Sequence, residues 1–519
     1  MTPEESKAKY RKFKDLQFRA QQSAAIEFVV NSSKPVVALC APCGSGKSLI
    51  GACVGNYYDK FSYLCSSKQL QEQLQFDFPE TEVMMGRGNY ECNLIPSKMA
   101  DECIHSELFK CPLKYSTCNY ELQKRATLKS HRQIINYAYA ITEAHFVGKF
   151  SGYPVQICDE ADMLESILVN FVSLDIRKST LRRYSIPTPA YKTSQAKMGV
   201  ESWKVWAQRT EEIIRNRARR VENSIDLAEG ENPDDDTKSA MRELKWLEGF
   251  QKRLQIFLKY VDKDWIYETN DRGWMFRPVW LTPAMTQEWF FKHAQKHLLM
   301  SATVPKPKIL SILLGIDLSD IDYMEVPSTW PVSNRPVHLM PVADMKYKTF
   351  KDDVPKLLKR IGEIINNHKN EKGVIHTSSW KLTDIVMSIA NGRMVTHTPF
   401  NKPEMLRKFQ LSDKPLIFVS PSSTRGVNLP GDNCRFQIIA KAPYLSLKDK
   451  VVNARIFGSK VGQSWYRALC ADDILQACYR GVRSEDDWCV TYCLDKQIMH
   501  LITGHQSLFS KYFLQAIEI

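Results

Sequence analysis

The sequence VVALCAPCGSGKSLIGACVG, residues 36–55, decides the fold. It opens with an apolar run typical of a buried strand, passes through the loop APCGSGKS (41–48), and ends in a helical pattern. Glycines let backbone N–H groups turn toward phosphate oxygens, and the start of the following helix adds a favourable dipole. This order of strand, loop and helix therefore predicts a phosphate-binding loop in an α/β domain with a parallel sheet.

The residue types in this loop suit a nucleoside triphosphate. Gly44, Ser45 and Gly46 would present backbone N–H groups to the phosphates. Lys47 would place its charge near the β and γ phosphates, and the Ser48 hydroxyl would bind Mg²⁺. The alternative is a chance match in an ordinary loop, which the strand and helix on either side make unfavourable. ATP and Mg²⁺ are the expected ligands.

A second candidate motif, DEAD, ends the apolar run YPVQIC within 153–162. Asp159 would hold Mg²⁺ directly or through water, and Glu160 would orient the attacking water. Acidic residues at strand ends are common, so the tetrapeptide alone is weak evidence. It gains weight because it follows the phosphate loop within one α/β unit.

The segment QACYRGVRSEDD (476–487) has the spacing Q-x-x-x-R-x-x-R. Arg480 and Arg483 could reach across a cleft to the γ-phosphate and stabilise charge that develops there, with Gln476 beside them. Taken alone, the segment could equally be an ordinary polar helix. Together with the two earlier motifs it predicts a nucleotide held between two domains, whose closing and opening would move a bound strand.

Length and composition limit the class of protein. A chain of 519 residues is expected to form three or four units. It has no apolar run long enough to span a membrane, and its polar start lacks the core of a signal peptide, so we expect a cytoplasmic-type compartment and no membrane partner. Lys and Arg outnumber Asp and Glu by 71 to 58, which suits a polyanionic partner or simply favours solubility.

Four of the 14 cysteines fall close together: Cys92, Cys103, Cys111 and Cys118. Disulfides are not expected in a reducing compartment. Thiolates bind either zinc or an iron–sulfur cluster, and the spacing by itself slightly favours zinc. His105 lies between two of these cysteines and is expected to be a surface residue rather than a ligand.

From Phe18 to Asp495 the chain resembles the XPD/DinG-type iron–sulfur DNA helicases of superfamily 2. The resemblance rests on the order and spacing of several motifs: the phosphate loop, YLCSSKQLQEQL (63–74), GRGNYEC (86–92), NYAYAITE (136–143), DEAD, MSAT (300–303), STRGVNLPG (423–431), KAPYLSLKDK (441–450) and the two-arginine segment. It implies ATP-driven unwinding of DNA with 5′→3′ polarity, with single-stranded and forked DNA as partners. It also implies that the four cysteines hold a [4Fe–4S] cluster rather than zinc.

The fold that the resemblance implies is α/β, with two RecA-like parallel-sheet motor domains, an inserted iron–sulfur lobe and an inserted helical arch. The expected units are motor domain 1 (1–86, 136–165 and 276–305), the four-cysteine lobe (87–135), the arch (166–275) and motor domain 2 (306–519). Arg19 and Gln22 resemble the adenine-side motif of the superfamily. The alternative for these two residues is the start of a surface helix.

The resemblance also suggests where nucleic acid would bind. Ser66, Lys68, Ser378 and Thr424 stand in motifs that hold the phosphate backbone in related helicases. Residues 177–220 contain 12 Lys or Arg, which could line a channel for single-stranded DNA or form a solvated helical face. Two further residues flank the metal lobe, Arg87 and Tyr137, and Tyr137 could stack on a base or pack in the core.

Four positions depart from the family pattern. Arg425 and Asn428 replace Glu and Asp, Tyr479 replaces Gly, and DEAD stands where DEAH is more frequent. These changes leave the phosphate chemistry intact but bear on the coupling between ATP and DNA. The alternative function is therefore an ATP-gated nucleic-acid-binding protein, or a translocase, that does not separate strands.

Overall fold

The computed structural model describes residues 1–519 except 43, 96, 107, 190–198, 226–232, 329, 391, 422–428, 480, 483–485 and 519. Within the described residues, the strands in chain order are β1 (Val36–Cys40), β2 (Phe61–Cys65), β3 (Glu82–Met84), β4 (Arg132–Asn136), β5 (Tyr153–Asp159), β6 (Leu174–Arg177), β7 (Trp265–Thr269), β8 (Gly273–Pro278), β9 (Ala294–Ser301), β10 (Ile321–Glu325), β11 (Val337–Ala343), β12 (Gly373–His376), β13 (Met394–Val395), β14 (Ile417–Ser420), β15 (Phe436–Ile439), β16 (Val490–Asp495) and β17 (Ile517–Glu518).

The α-helices in chain order are α1 (Pro3–Lys7), α2 (Ala20–Asn31), α3 (Lys47–Gly55), α4 (Lys68–Asp77), α5 (Asn119–Lys129), α6 (Tyr137–Thr142), α7 (Leu164–Val172), α8 (Lys178–Arg183), α9 (Val200–Asn223), α10 (Asp235–Tyr260), α11 (Pro283–Trp289), α12 (Pro307–Leu314), α13 (Phe350–Asn367), α14 (Trp380–Met387), α15 (Lys402–Leu411), α16 (Lys450–Gly458), α17 (Lys460–Cys478), α18 (Lys496–Gly504) and α19 (Lys511–Leu514). None of the helices in the described part of the chain combines the length and the apolar character that a membrane crossing requires.

The first sheet has seven parallel strands in the order β10-β1-β9-β5-β2-β4-β3. Its central strands are buried on both faces, as in β1 and β2, which explains their continuous apolar sequence. The sheet extends beyond residue 305, where the sequence places the end of the first motor domain, because β10 pairs with β1. We call this sheet and the helices packed on it the first domain.

The second sheet also has seven strands, in the order β13-β14-β12-β15-β16-β11-β17, and every pairing is parallel. Helix α13 covers one face with Leu357, Ile361 and Ile364, which are fully or almost fully buried at helical spacing. We call this sheet and its helices the second domain. The predicted α/β architecture with two parallel-sheet domains is confirmed.

The chain between the DEAD strand and β9 forms a separate helical unit. Helices α9 and α10 pack on each other through the inward side chains Trp206, Ile214, Leu247 and Phe257. Their base is an antiparallel sheet in the order β6-β8-β7, which adds strands to a segment whose sequence indicates helices. Residues 166–275 therefore contain a helical hairpin mounted on a small sheet.

The segment that carries the four cysteines has little regular structure before α5. It is attached to the first domain by α5, where the Lys124 ammonium lies 2.6 Å from the Glu143 carboxylate and both side chains are buried. It also contacts the helical unit, because the Lys245 ammonium donates to the Cys103 carbonyl over 3.1 Å. The cysteine segment therefore lies between the first domain and α10.

Candidate active site

The phosphate loop leaves β1 and enters α3 with two glycines in left-handed conformation. Gly44 has φ +74° and Gly46, the N-cap of α3, has φ +82°. A Cβ on Gly46 would also lie 2.2 Å from the Gln22 Nε2. Both positions therefore require glycine, which gives the backbone the curvature expected of a loop that surrounds phosphate.

The loop holds two side chains that suit an anion. The Lys47 ammonium donates to the carbonyls of Ala41 and Pro42, over 3.0 and 3.2 Å, so its charge stays at the loop. The Ser45 hydroxyl is buried and has no hydrogen-bond partner among the described residues. An unpaired buried hydroxyl is unfavourable, and an oxygen-rich ligand would satisfy it.

Arg19 and Gln22, predicted to lie on the adenine side, both contact this loop. The Arg19 guanidinium donates to the Gly44 carbonyl over 2.8 Å. The Gln22 amide donates to the Ser45 carbonyl over 2.9 Å, and its oxygen accepts from the Arg19 backbone N–H over 3.0 Å. Helix α2 therefore starts against the phosphate loop and not on an open surface.

The DEAD segment follows β5 on the same edge of the sheet. The Asp159 carboxylate is buried and accepts hydrogen bonds from the Tyr63 hydroxyl and the Glu160 backbone N–H, each over 2.9 Å. Burial raises the pKa of this carboxyl, and the nearby Lys47 ammonium offsets the rise only in part. A divalent cation at Asp159 would stabilise the ionised form further.

Glu160 adopts a left-handed backbone conformation, with φ +51°. This conformation costs a residue with a side chain about 1–3 kcal/mol, and strain of this kind concentrates at functional sites. The Ser66 hydroxyl, from the end of β2, donates to the Glu160 carboxylate. Glu160, predicted to be catalytic, is thus in direct contact with Ser66, which is predicted to bind the nucleic-acid backbone.

Tyr63 is a site residue that the sequence does not reveal. It lies in the middle of an apolar strand, where an aromatic side chain indicates only core packing. Its buried hydroxyl donates to the Asp159 carboxylate over 2.9 Å, and the Ser48 side chain lies near the same hydroxyl. Tyr63 therefore lies beside the two residues predicted to bind Mg²⁺.

The MSAT segment makes hydrogen bonds to both domains. The Ser301 hydroxyl donates to the Asp162 carboxylate over 2.6 Å. Two residues later, the Thr303 hydroxyl accepts from the Gln476 amide of α17 over 2.7 Å. Gln476 therefore lies where the two domains meet, while Arg480 and Arg483 lie outside the described residues.

A tryptophan from the segment between the two sheets also contacts the phosphate loop. The Trp330 indole packs so closely on Gly44 that a Cβ there would lie 1.7 Å from the Trp330 Cη2. Trp330 is buried in a cluster of second-domain residues that includes Val482, which follows Arg480 by two positions. The sequence gives no signal for this contact between the phosphate loop and Trp330.

The four cysteines are free thiols, all partly buried. Burial raises the pKa of the Cys111 thiol, and the proximity of Cys103, Cys118 and Cys92 raises it further. The four sulfurs are therefore near one another. The described residues contain no group of three or more His, Cys, Asp or Glu side chains already arranged as a metal site, so the cluster stays a prediction.

Other predicted residues have mixed outcomes. Tyr137 packs in the core, where its buried hydroxyl donates to the Asp159 carbonyl over 2.9 Å, so it is not placed to stack on a base. The Arg87 guanidinium lies 4.9 Å from the centre of the Tyr120 ring.

Arg217, in the basic stretch of residues 177–220, pairs with Glu243 over 3.0 Å. Thr424, Arg425 and Asn428 lie outside the described residues.

Comparisons with known proteins agree with this arrangement. The family model for the helicase C-terminal domain matches residues 361–515, while no curated protein matches the chain in sequence. Among solved structures, "XPD_Helicase" is 16% identical with a TM-score of 0.61, over 95% of this chain and 98% of that one. "XPD_APO" is 14% identical with a TM-score of 0.59, over 94% and 98%.

A third solved structure, Xpd4 of S. tokodaii, is 15% identical with a TM-score of 0.58, over 96% of this chain and 99% of that one. At identities this low the likeness establishes the fold, and it extends over nearly the whole length of both chains. The chain therefore has the fold of the XPD helicases, and its residues 361–515 match the helicase C-terminal domain family.

Proposed function

We propose that the chain is an ATP-driven DNA helicase that moves 5′→3′ along a single strand and opens the duplex at a fork. The observation that carries this proposal is the meeting of the phosphate loop and the DEAD segment at one edge of the first sheet. The Tyr63 hydroxyl donates to Asp159 and lies near Ser48, and the Asp159 carboxylate lies close enough to Lys47 for their charges to interact.

In this proposal the first domain binds the triphosphate. The backbone N–H groups from Gly44 to Ser48 and the Lys47 ammonium hold the phosphates, and Arg19 and Gln22 fix the loop from the adenine side. Ser48 and Asp159 would hold Mg²⁺, which neutralises charge that develops on the phosphates. The buried, unpaired Ser45 hydroxyl is consistent with an oxygen-rich ligand at this loop.

Glu160 is the residue that we propose orients the attacking water. Its left-handed backbone and its contact with Ser66 fix the carboxylate beside the end of β2, one residue after Asp159. Arg480 and Arg483 would approach the γ-phosphate from the second domain and stabilise the charge that it gains. The Gln476–Thr303 hydrogen bond supports this role, because it places the start of the two-arginine segment at the domain boundary.

The same contacts would couple hydrolysis to movement. Asp162 and Gln476 are connected through Ser301 and Thr303, which are two residues apart. A change in the DEAD segment on loss of the γ-phosphate would therefore reach α17, and domain closure would alternate with opening. The predicted backbone-binding residues Ser66, Lys68 and Ser378 would hold single-stranded DNA during this cycle.

The iron–sulfur cluster belongs to the same proposal. The thiols of Cys103, Cys118 and Cys92 all raise the pKa of the Cys111 thiol, and such a group of four fits a [4Fe–4S] cluster, which requires four cysteine ligands. Cys92, Cys103, Cys111 and Cys118 would hold it, and it would fix the shape of a segment that has little regular structure. We propose the division into two motor domains, a cysteine lobe at 87–135 and an arch at 166–275 on the same basis.

The proposal is tested by hydrolysis and unwinding with one matched pair of variants. Lys47→Ala should abolish DNA-stimulated ATP hydrolysis, whereas Lys369→Ala, which removes an exposed lysine of the second domain, should leave it unchanged. The unaltered protein should open a duplex that carries a 5′ tail and not one that carries a 3′ tail. Lys47→Ala protein with most of its activity retained would refute the site assignment.

The metal proposal is tested separately by anaerobic purification. A brown protein with four irons per chain supports the cluster, whereas a colourless protein with stoichiometric zinc refutes it. Cys111→Ser should lose the colour.

One observation favours the alternative of an ATP-gated binding protein without strand separation. Tyr479, where the family has glycine, is buried, and its hydroxyl shares a 2.6 Å hydrogen bond with Ser510. This contact holds Tyr479, which directly precedes Arg480 in the sequence, in the core of the second domain. ATP hydrolysis that is stimulated by DNA but opens no duplex of either polarity would support this alternative.

A further inference from the structure

Three exposed aromatic side chains lie along one edge of the second sheet. Tyr347 is 98% exposed, Phe400 88% and Trp380 39%. They follow β11, β13 and β12, respectively, and these strands are parallel. The carboxyl ends of parallel strands open at one edge of a sheet, so the three side chains are on the same edge.

The loops that carry these residues touch one another. The Lys381 ammonium, next to Trp380, lies 4.8 Å from the centre of the Phe350 ring in the segment after β11. On its other side, Trp380 packs edge to face against His397 in the loop after β13, with ring centres 5.2 Å apart. The edge is therefore a continuous surface, which we call the aromatic edge: Tyr347, Lys348, Trp380, Lys381 and Phe400.

The loop around Phe400 has a defined shape. The Asn401 side chain accepts from the Thr398 backbone N–H over 2.7 Å, and the Thr398 hydroxyl accepts from the Phe400 N–H over 3.3 Å. The His397 ring is buried below and shares a 2.8 Å hydrogen bond with the Ser420 hydroxyl. The exposure of Phe400 is thus a property of an ordered turn.

The chemistry of the aromatic edge points to a particular class of partner. Aromatic faces interleaved with lysines bind single-stranded nucleic acid, because bases stack on the rings while the cations follow the phosphates. A protein partner fits less well, because lysine is depleted from the cores of protein interfaces. The exposed lysines Lys346, Lys348 and Lys381 separate the rings, although Lys346 also pairs with Asp344 over 3.6 Å.

The position of the surface agrees with this chemistry. Ser378, predicted to hold the phosphate backbone, precedes Trp380 by two residues, and its hydroxyl donates to the Lys441 carbonyl over 3.0 Å. A strand whose backbone passes Ser378 would have its neighbouring bases beside Trp380. We propose that the aromatic edge is a base-stacking platform for single-stranded nucleic acid, with Tyr347 and Phe400 as its outer stacking residues. This inference rests on the proposed function.

The test compares two oligonucleotides of equal length and charge, one with bases throughout and one with an abasic tract. Binding of the full-length protein is measured by fluorescence anisotropy for the unaltered chain and for the double variant Tyr347→Ala/Phe400→Ala. Phe457→Ala is the matched control, because this ring is 70% exposed and lies on α16, away from the aromatic edge. Removing side chains this exposed should leave folding intact.

The double variant should bind the normal oligonucleotide at least about tenfold more weakly, since each stacked base contributes roughly 1–3 kcal/mol and 1.4 kcal/mol is tenfold. Affinity for the abasic oligonucleotide and the dependence on salt should stay unchanged, because no charge is removed. Unchanged binding of the normal oligonucleotide, or an equal loss on both, would overturn the platform. Failure of the unaltered protein to bind either oligonucleotide would refute the proposed function itself.

Discussion

The contact between Trp330 and Gly44 gives the sharpest test of how the two domains meet. Gly44→Ala introduces one methyl group at φ +74°, where its Cβ would lie 1.7 Å from the Trp330 Cη2. The backbone strain costs about 1 kcal/mol. Overpacking against an indole adds about 1–3 kcal/mol, because Trp330 is buried in the second-domain core and cannot turn aside. We therefore expect a loss of about 2–4 kcal/mol in the free energy of unfolding.

Two further variants separate the cost of the left-handed backbone conformation from the cost of steric overlap with the Trp330 indole. Gly148 has φ +69°, and a Cβ there would meet nothing within 4 Å, so Gly148→Ala should cost the strain of about 1 kcal/mol alone. In a Trp330→Leu background, Gly44→Ala should likewise cost only the strain, because the indole is gone. Urea unfolding followed by circular dichroism measures the unaltered protein, Gly44→Ala, Gly148→Ala, Trp330→Leu and the double variant. The contact is refuted if Gly44→Ala costs no more than Gly148→Ala, or if its cost is the same with and without the indole.

Two other perturbations follow from buried charges. Glu143→Gln should lower the free energy of unfolding, measured with urea, by about 3–5 kcal/mol, since it leaves the Lys124 ammonium buried without its charged partner at 2.6 Å. The double variant Lys124→Met/Glu143→Leu removes both charges and should regain most of this loss. Burial raises the pKa of Asp159, so the folded protein retains this proton over a pH range in which the unfolded chain has lost it, and stability falls as the pH rises through that range. Asp159→Asn should therefore raise the melting temperature at neutral pH while it abolishes ATP hydrolysis; an equal melting-temperature difference at every pH would contradict the link.

The segments of the candidate nucleotide site could be predicted to lie together because each of them is a local pattern in the sequence. Residues 41–48 and 159–162 each follow an apolar run, and parallel strands place such segments on one edge of a sheet. The strand order itself was not accessible: β10 has the sequence IDYME, with alternating polarity and little apolar character, and it belongs to the first sheet because it pairs with β1. Pairing between distant strands depends on tertiary packing more than on local preference.

Contacts between distant side chains were the other unpredictable part. Tyr63 lies in an apolar strand that indicates only a core, yet its hydroxyl donates to Asp159. Trp330 lies in the segment PSTWPVSN (327–334), which indicates a loop, yet it packs on Gly44. Tyr137 shows the reverse, since a motif position that could have faced a base is instead buried and bonded to the Asp159 carbonyl. Residue type and spacing show which chemistry a side chain can supply. Whether the side chain contacts a ligand or packs in the core depends on its burial, which the sequence pattern does not give.

The contacts between the domains are unequal, and this inequality bears on how they would move. Near the phosphate loop, the described residues include a neutral hydrogen bond, Gln476 to Thr303, with a net contribution of about 0.5–1.5 kcal/mol, beside the packing of Trp330 on Gly44. At the base of the helical unit, the buried Arg455 of α16 pairs with Glu165 over 2.6 Å, and its guanidinium lies over two neighbouring tryptophan rings, Trp280 and Trp465.

Charge-assisted bonds are about twice as strong as neutral ones, and a buried arginine without its carboxylate is costly. Arg277 and Asp449 add a second ion pair on this side, over 3.2 Å. We therefore expect the domains to separate first at the nucleotide side while the Arg455 side stays closed. In the proposed motor, ATP would bind on the weakly joined side and contact both domains there. The side would then be closed when ATP is bound and open when it is absent, which requires that the protein's own contacts on that side be weak.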